Sequence, residues 1–156
     1  MQTVFTSIGI VGTGAMGRGI AQIAAQAGST VYLYDTHGGA ADAARTHIHQ
    51  QWQRLVDKGR LDESLLPALV QRLVPVTSLH DFAACELVVE AIVERLDAKQ
   101  ELLKQLEAIV SPEAVLASNT SSLSITAVAA PLQRPLLAAA FRLFSPVPSL
   151  YVQKDI

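Results

Sequence analysis

Three glycines, Gly12, Gly14 and Gly17, lie in the run Gly12-Thr13-Gly14-Ala15-Met16-Gly17 between two segments of different periodicity. Before them, Ser7 to Val11 is a short, apolar, β-rich run; after them, Ile20, Ile23, Ala24 and Ala27 recur at helical spacing and stop at Gly28. Strand, glycine turn and helix in that order give the G-x-G-x-x-G spacing of a dinucleotide fold. The first glycine permits the tight turn, the second lets backbone approach a diphosphate, and the third lets the helix lie against the strand. The helix start then presents free N–H groups and a partial positive charge to an anion.

A glycine pattern alone arises often by chance, so its surroundings decide. A second β-rich run, Thr30 to Tyr34, ends at Asp35, 18 residues after Gly17, where a ribose-binding acid belongs. The bland alternative is a turn of small residues beside a surface aspartate, and the strand-turn-helix context weighs against it. A P-loop is excluded because Arg18 follows Gly17 where Lys and then Ser or Thr are required. Asp35 accepts from ribose hydroxyls and repels a 2′-phosphate, and Thr36 to Gly39 contain no arginine to reverse that. The pattern predicts NAD as cofactor in preference to NADP.

The alternation continues. A helix is expected from about Ala40 to Lys58, with Gly59 as its stop, and Asp62 caps a further helix to about Arg72 in which Pro67 is an awkward interior residue. Short runs at Val74 to Thr77 and Leu87 to Ala91 come next, then a helix carrying Leu96, Leu102, Leu103, Leu106 and Ile109 that closes before Ser111-Pro112. Val115 to Ala117 and Leu136 to Phe141 supply two more strands. The sum is a Rossmann-type, doubly wound α/β fold: a mostly parallel sheet with helices on both faces, occupying residues 1–156 as one nucleotide-binding domain. A chain of this length buries roughly 68–70% of its unfolded surface. Half of its residues are hydrophobic, which excludes disorder.

The net charge of −2 gives no field to gather nucleic acid or an anionic membrane, so neither is expected as a partner. The first residues have no basic leader and no segment is apolar enough to span a bilayer; with a single cysteine, Cys85, a reducing cytoplasmic location is expected. No metal site is expected. His47 and His49 stand about 200° apart around a helix axis and suit solvent rather than one ion. Cys85 reads as a small buried hydrophobe, Trp52 as packing, and His37 as a loop histidine, with contact to an adenine ribose as its alternative.

In an open α/β sheet, ligands bind beyond the carboxyl ends of the strands. Glu90 to Glu94, Ser118-Asn119-Thr120-Ser121-Ser122 and Arg142 to Pro148 all follow strands and all face the crevice of Gly12. Each also has a structural reading: the two glutamates complement a helix start, and the Asn-Thr-Ser-Ser run is a loop with a cap.

GIVGTGAMGRGIAQ, VVEAIVERLDAKQEL, LASNTSSLSITAVA and FSPVP, in this order and spacing, closely resemble the N-terminal domain of the 3-hydroxyacyl-CoA dehydrogenases. The bacterial enzymes acting on 3-hydroxyadipyl-CoA and 3-hydroxybutyryl-CoA look especially similar. The resemblance runs from about Thr3 to Pro148 and implies oxidation of the 3-hydroxyl of an acyl-CoA with hydride passed to NAD. Position by position it implies that Gly12, Thr13, Gly14, Ala15, Met16 and Gly17 hold the diphosphate and Asp35 the adenine ribose. It further implies that Glu94 and Lys99 lie on the nicotinamide side, that the Ser121 hydroxyl contacts the substrate oxygen as the catalytic residue, and that Lys58 contacts CoA; an exposed helix lysine is the alternative for Lys58.

The resemblance fails at the sixth strand. The family's general-base histidine falls on Arg142, and the glutamate that orients it, twelve residues on, falls on Lys154. A guanidinium has no acceptor nitrogen to take a hydroxyl proton, and no histidine follows His80 to replace it. The family's helical second domain, through which it dimerises and encloses acyl-CoA, lies beyond Ile156. The expectation is an NAD-binding unit without appreciable turnover on its own, the alternative being a non-catalytic NAD-binding module with a decayed catalytic pair.

Overall fold

The computed structural model describes residues 5–134 and the backbone of two later strands, Ala138–Leu143 and Leu150–Gln153. Its strands are β1 (Ser7–Val11), β2 (Thr30–Tyr34), β3 (Leu73–Pro75), β4 (Leu87–Glu90), β5 (Val115–Ser118), β6 (Ala138–Leu143) and β7 (Leu150–Gln153). The helices are α1 (Ala15–Gln26), α2 (Ala40–Asp57), α3 (Leu66–Gln71), α4 (Leu96–Ile109) and α5 (Ile125–Ala129), with 3-10 turns at Glu63–Leu65 and Leu79–Phe82. The strands form one sheet in the order β3-β2-β1-β4-β5-β6-β7, parallel up to β6 and antiparallel between β6 and β7. Chain order reverses between β1 and β4, which is where an open α/β sheet leaves its binding crevice.

Strand periodicity sorts the core into two layers. Ile8, Ile10, Val31, Leu33, Leu87 and Val89 point to the face covered by α1, α2 and α3, together with the fully buried Trp52. Val11, Val88 and Leu116 point to the other face, against Leu103 and Leu106 of α4 and Val128 of α5. β1, β2 and the long helix α4 follow the sequence reading because each is strongly periodic and punctuated by glycine, aspartate or proline. Trp52 and Cys85 are core residues as expected, and burial, helped by the neighbouring Glu86, pushes the Cys85 thiol up to about 12. Among the described residues no helix is long and apolar enough to cross a membrane.

Three expectations shift. The helix expected after Asp62 is a 3-10 turn followed by a six-residue helix, and Pro67 falls within its first turn, where its missing N–H has no intrahelical acceptor to lose. The third strand is displaced toward the N-terminus and ends at Pro75. β7 was not anticipated: Leu150–Gln153 turns back along β6, pairing Tyr151 with Arg142. Residues 135–137, where the sixth strand was expected to begin, lie outside the described residues, as does Lys154.

Close packing at the glycine turn fixes the start of α1. Gly12 has φ +98°, and a Cβ there would stand 2.5 Å from the Ala91 carbonyl oxygen. A Cβ on Gly17 would stand 1.8 Å from the Gly12 carbonyl oxygen, so only hydrogen lets the helix lie this close to the strand. Gly14 differs: its backbone (φ −68°, ψ −169°) suits any residue and a Cβ would meet no protein atom within 4 Å. Gly12→Ala and Gly17→Ala should each cost about 2–4 kcal/mol in urea unfolding, or prevent folding. Gly14→Ala should cost no more than roughly 1 kcal/mol. Equal losses at Gly14 and Gly17 would contradict this packing.

Candidate functional site

The carboxyl edge of the sheet is a continuous row. Tyr34 pairs with Val11, Val11 with Glu90, Glu90 with Ser118 and Ser118 with Ala140. The residues immediately after this row make the site, and backbone bonds knit them together: Gly12 N–H donates to Tyr34 O (2.9 Å), Ala91 N–H to Val11 O (2.8 Å) and Asn119 N–H to Glu90 O (2.8 Å).

α1 begins at Ala15 with Gly14 as its cap and no side chain satisfying its first N–H groups. Its first turn contains no acidic residue, so the free amides and the positive end of the helix are available to an anion. Behind them, Thr13 donates to Asp35 Oδ2 through its N–H (2.9 Å) and its hydroxyl (2.8 Å). On the other side, His37 N–H lies 2.9 Å from Asp35 Oδ1 and His37 Nδ1 3.0 Å from it. Burial opposes the charge on Asp35, but the hydrogen bonds from His37 and Thr13 outweigh it and hold the carboxyl at about 2, below its ordinary 3.8. A cleft of about 380 Å³ opens here, lined by Gly12, Thr13, Gly14, Asp35, His37 and Val93 among others.

This cradle fits NAD on its own geometry. The space over Gly14, which the protein leaves unfilled, adjoins both the free amides of α1 and the Asp35 carboxylate. Each Asp35 oxygen already has two hydrogen-bonding neighbours, a full complement for a carboxylate. A ribose hydroxyl would therefore replace a donor, and the His37 imidazole, 88% exposed, is the one free to swing away. That contact bears on the ribose alternative for His37.

The loop after β4 meets the loop after β5 through Glu94. Its Oε1 accepts from the Thr120 hydroxyl (2.6 Å), and its Oε2 from the Ser121 N–H (3.1 Å) and hydroxyl (3.4 Å). Burial disfavours the charge, yet Thr120, Ser121 and the Lys99 ammonium together hold the Glu94 carboxyl below its usual range. Glu94 and Ser121, which the resemblance assigns separately to the nicotinamide side and the substrate oxygen, are thus in contact.

Lys99 lies beside Glu94, with which the resemblance groups it: its side chain is wholly buried, with Nζ 2.8 Å from both Glu90 oxygens and 3.7 Å from Glu94 Oε1. It underlies Glu94 and has no surface of its own in the opening. Lys58 is exposed at the end of α2, about 27 Å along that helix from its start beside Asp35. Arg142 lies on β6, two residues beyond the Ser118–Ala140 pair, with its side chain outside the described residues.

Sequence reasoning set Glu90 to Glu94 and Ser118 to Ser122 around the crevice but gave Glu90, Ser118 and Thr120 no individual role there. A signal for Glu90 was present: it closes the run Leu87-Val88-Val89-Glu90 at an inward-facing position.

The low Asp35 value has a stability consequence with a defined sign. Its folded value lies below the unfolded one, so its contribution is present above about pH 4 and is lost as pH falls through about 2. Urea unfolding of Asp35→Asn should show a deficit against the parent at pH 6 that narrows toward pH 2. A deficit independent of pH would contradict the hydrogen-bonded carboxylate.

Comparison with known proteins agrees with this geometry. The family described as "3-hydroxyacyl-CoA dehydrogenase, NAD binding domain" matches residues 7–152. The chain is 40% identical to the 3-hydroxyadipyl-CoA dehydrogenase of Escherichia coli K12, a match covering 91% of this chain and 30% of that protein. It is 44% identical to a probable 3-hydroxybutyryl-CoA dehydrogenase of Deinococcus radiodurans, covering 95% of this chain and 53% of that one. The crystal structure of the (S)-3-hydroxybutyryl-CoA dehydrogenase of Ralstonia eutropha superposes with a TM-score of 0.91 at 34% identity, over 97% of this chain and 55% of that chain. The chain therefore spans about a third to a half of the length of these relatives. With the family model matching residues 7–152, nearly its whole length, the chain belongs to the family of NAD-binding domains of the 3-hydroxyacyl-CoA dehydrogenases.

Proposed function

We propose that this chain is the NAD-binding part of a 3-hydroxyacyl-CoA dehydrogenase and that it binds the dinucleotide without turning over substrate alone. The observation that carries the reading is the coupling of the glycine turn to Asp35 through Thr13, which sets the free amides of α1 and a ribose-accepting carboxylate on one cleft. Gly12 to Gly17 hold the diphosphate, Asp35 the adenine ribose, and Glu94 and Lys99 the nicotinamide side. Ser121 presents its hydroxyl to the substrate oxygen, and Lys58, far along α2, reaches the CoA moiety.

Bound NAD supplies a hydride acceptor. Oxidation of a 3-hydroxyl moves the carbon-bound hydrogen with its electron pair, as hydride, to that acceptor and the O–H proton to a base, while the O–H pair forms the second bond of the ketone C=O. In this chain Arg142 stands where the family's base belongs and Lys154 where the orienting carboxylate belongs. A guanidinium cannot take the proton at neutral pH. Loss of a general base is worth about 10²–10⁴-fold, and the enclosing surface that excludes water is supplied in the family by a second domain. Acyl-CoA binding and dimerisation belong to that larger assembly.

The substitutions at Arg142 and Lys154 favour a second reading, an NAD-binding module that performs no oxidation. Joining a family second domain to a chain carrying R142H and K154E separates the two, since recovered turnover supports the enzymatic one.

Titration calorimetry tests the binding reading. NAD should bind more tightly than NADP, and Asp35→Ala should weaken NAD by about tenfold or more, the worth of hydrogen bonds to a charged group, while changing NADP little. Gly14→Val should fold and lose NAD affinity. No NADH should form from 3-hydroxybutyryl-CoA. Equal losses of NAD and NADP, or rapid NADH formation by the chain alone, would overturn the proposal.

A further inference from the structure

β4 and β5 each end on a polar residue where strand alternation places an apolar one. Glu90 follows Val88 and Ser118 follows Leu116 on the face turned to α4. α4 answers with Lys99, one turn before Leu103 on its buried stripe of Lys99, Leu103 and Leu106. Glu90, Lys99 and Ser118 are all 0% exposed. The Glu90 carboxylate accepts from Lys99 Nζ at both oxygens (2.8 Å each), from Ile92 N–H (3.1 Å) and from the Ser118 hydroxyl. Lys99 Nζ also donates to Ile92 O (3.4 Å).

A buried ion pair adds little stability over apolar residues of similar volume, so what this one fixes matters more than what it contributes. Its other bonds fall on the segment between Glu90 and Glu94: Ile92 is gripped by both its N–H and its carbonyl. At the end of that segment, Glu94 holds Thr120 and Ser121, and the Thr120 hydroxyl oxygen accepts from Leu123 N–H (3.0 Å). The chain of contacts runs without a break from the floor of the sheet to Ser121. It bypasses Asp35 and the amides of α1, which are tied to each other through Thr13.

We propose that Glu90 and Thr120 are positioning residues that lock the loops after β4 and β5 into one wall, setting Glu94, Lys99 and Ser121 for the nicotinamide end of the dinucleotide only. The proposal rests on the reading that NAD lies along this edge. It adds that the side-chain hydrogen bonds holding the two halves of the cofactor share no residue, so loss of one set spares the other.

ADP-ribose, which has the adenosine and diphosphate but no nicotinamide, separates the halves. Thr120→Val keeps the shape and removes both the 2.6 Å bond to Glu94 and the acceptor of the Leu123 N–H. NAD affinity should fall about fivefold or more, as for loss of a hydrogen bond to a charged group, while ADP-ribose affinity changes less than about twofold. Thr120→Ser, which keeps the hydroxyl, should restore NAD binding. Glu90→Gln, which keeps the shape and removes the charge, should show the same split and faster amide exchange at Ile92 and Ser121, with Thr13 unchanged. If it does not fold, Thr120→Val alone decides. Equal falls for both ligands, or no change in either, would overturn the proposal. A parent chain that binds neither NAD nor ADP-ribose would instead overturn the reading on which it rests.

Discussion

The approach of α1 to β1 at Gly12 and Gly17 is the contact on which the remaining geometry depends. With hydrogen alone between the Gly12 carbonyl and the helix, the first turn of α1 sits on the carboxyl edge of the sheet. That placement brings Thr13 within reach of the Asp35 carboxylate, at the end of the neighbouring strand. It also packs Gly12 against the Ala91 carbonyl, so the turn and the Glu90–Glu94 segment share a border. A methyl group at either glycine would separate elements that must meet for a dinucleotide to span them.

Charge is handled differently at the two ends of this edge. Asp35 is only 15% exposed, yet four hydrogen-bonding neighbours stabilise its ionised form. Glu90 is removed from water altogether and matched by an ammonium on a helix that presents it in register with two leucines. The first arrangement stays open to a ligand because His37 can leave; the second is closed and acts through Glu94. Both arise from the same fact, that the last inward-facing positions of parallel strands lie beside the crevice.

Much of this was legible in the residues themselves. β1, β2 and α4 carry strong periodicity and clear stops, and the glycine spacing with Asp35 at the next strand end located the cleft. What escaped depends on pairing across the fold. A lysine on a helix reads as solvated, and only the register of Glu90 with Ser118 under α4 shows that Lys99 is internal. β7 has no glycine in the sequence just ahead of it to mark its start, and its antiparallel pairing with β6 is a tertiary choice. Pro67 looked disruptive because the boundary between the 3-10 turn and α3 is set by packing, which propensity does not report.

The central claim is that NAD lies across the glycine turn with its adenine ribose on Asp35 and its nicotinamide toward Ser121. The most direct measurement is an amide-resolved NMR titration of the chain with NAD. The account predicts large shifts at the amides of Gly14, Ala15, Met16 and His37, with smaller ones at Ser121. Unmoved amides at the start of α1, with shifts gathered instead at the separate hollow between Thr77, His80 and Gln105, would contradict it.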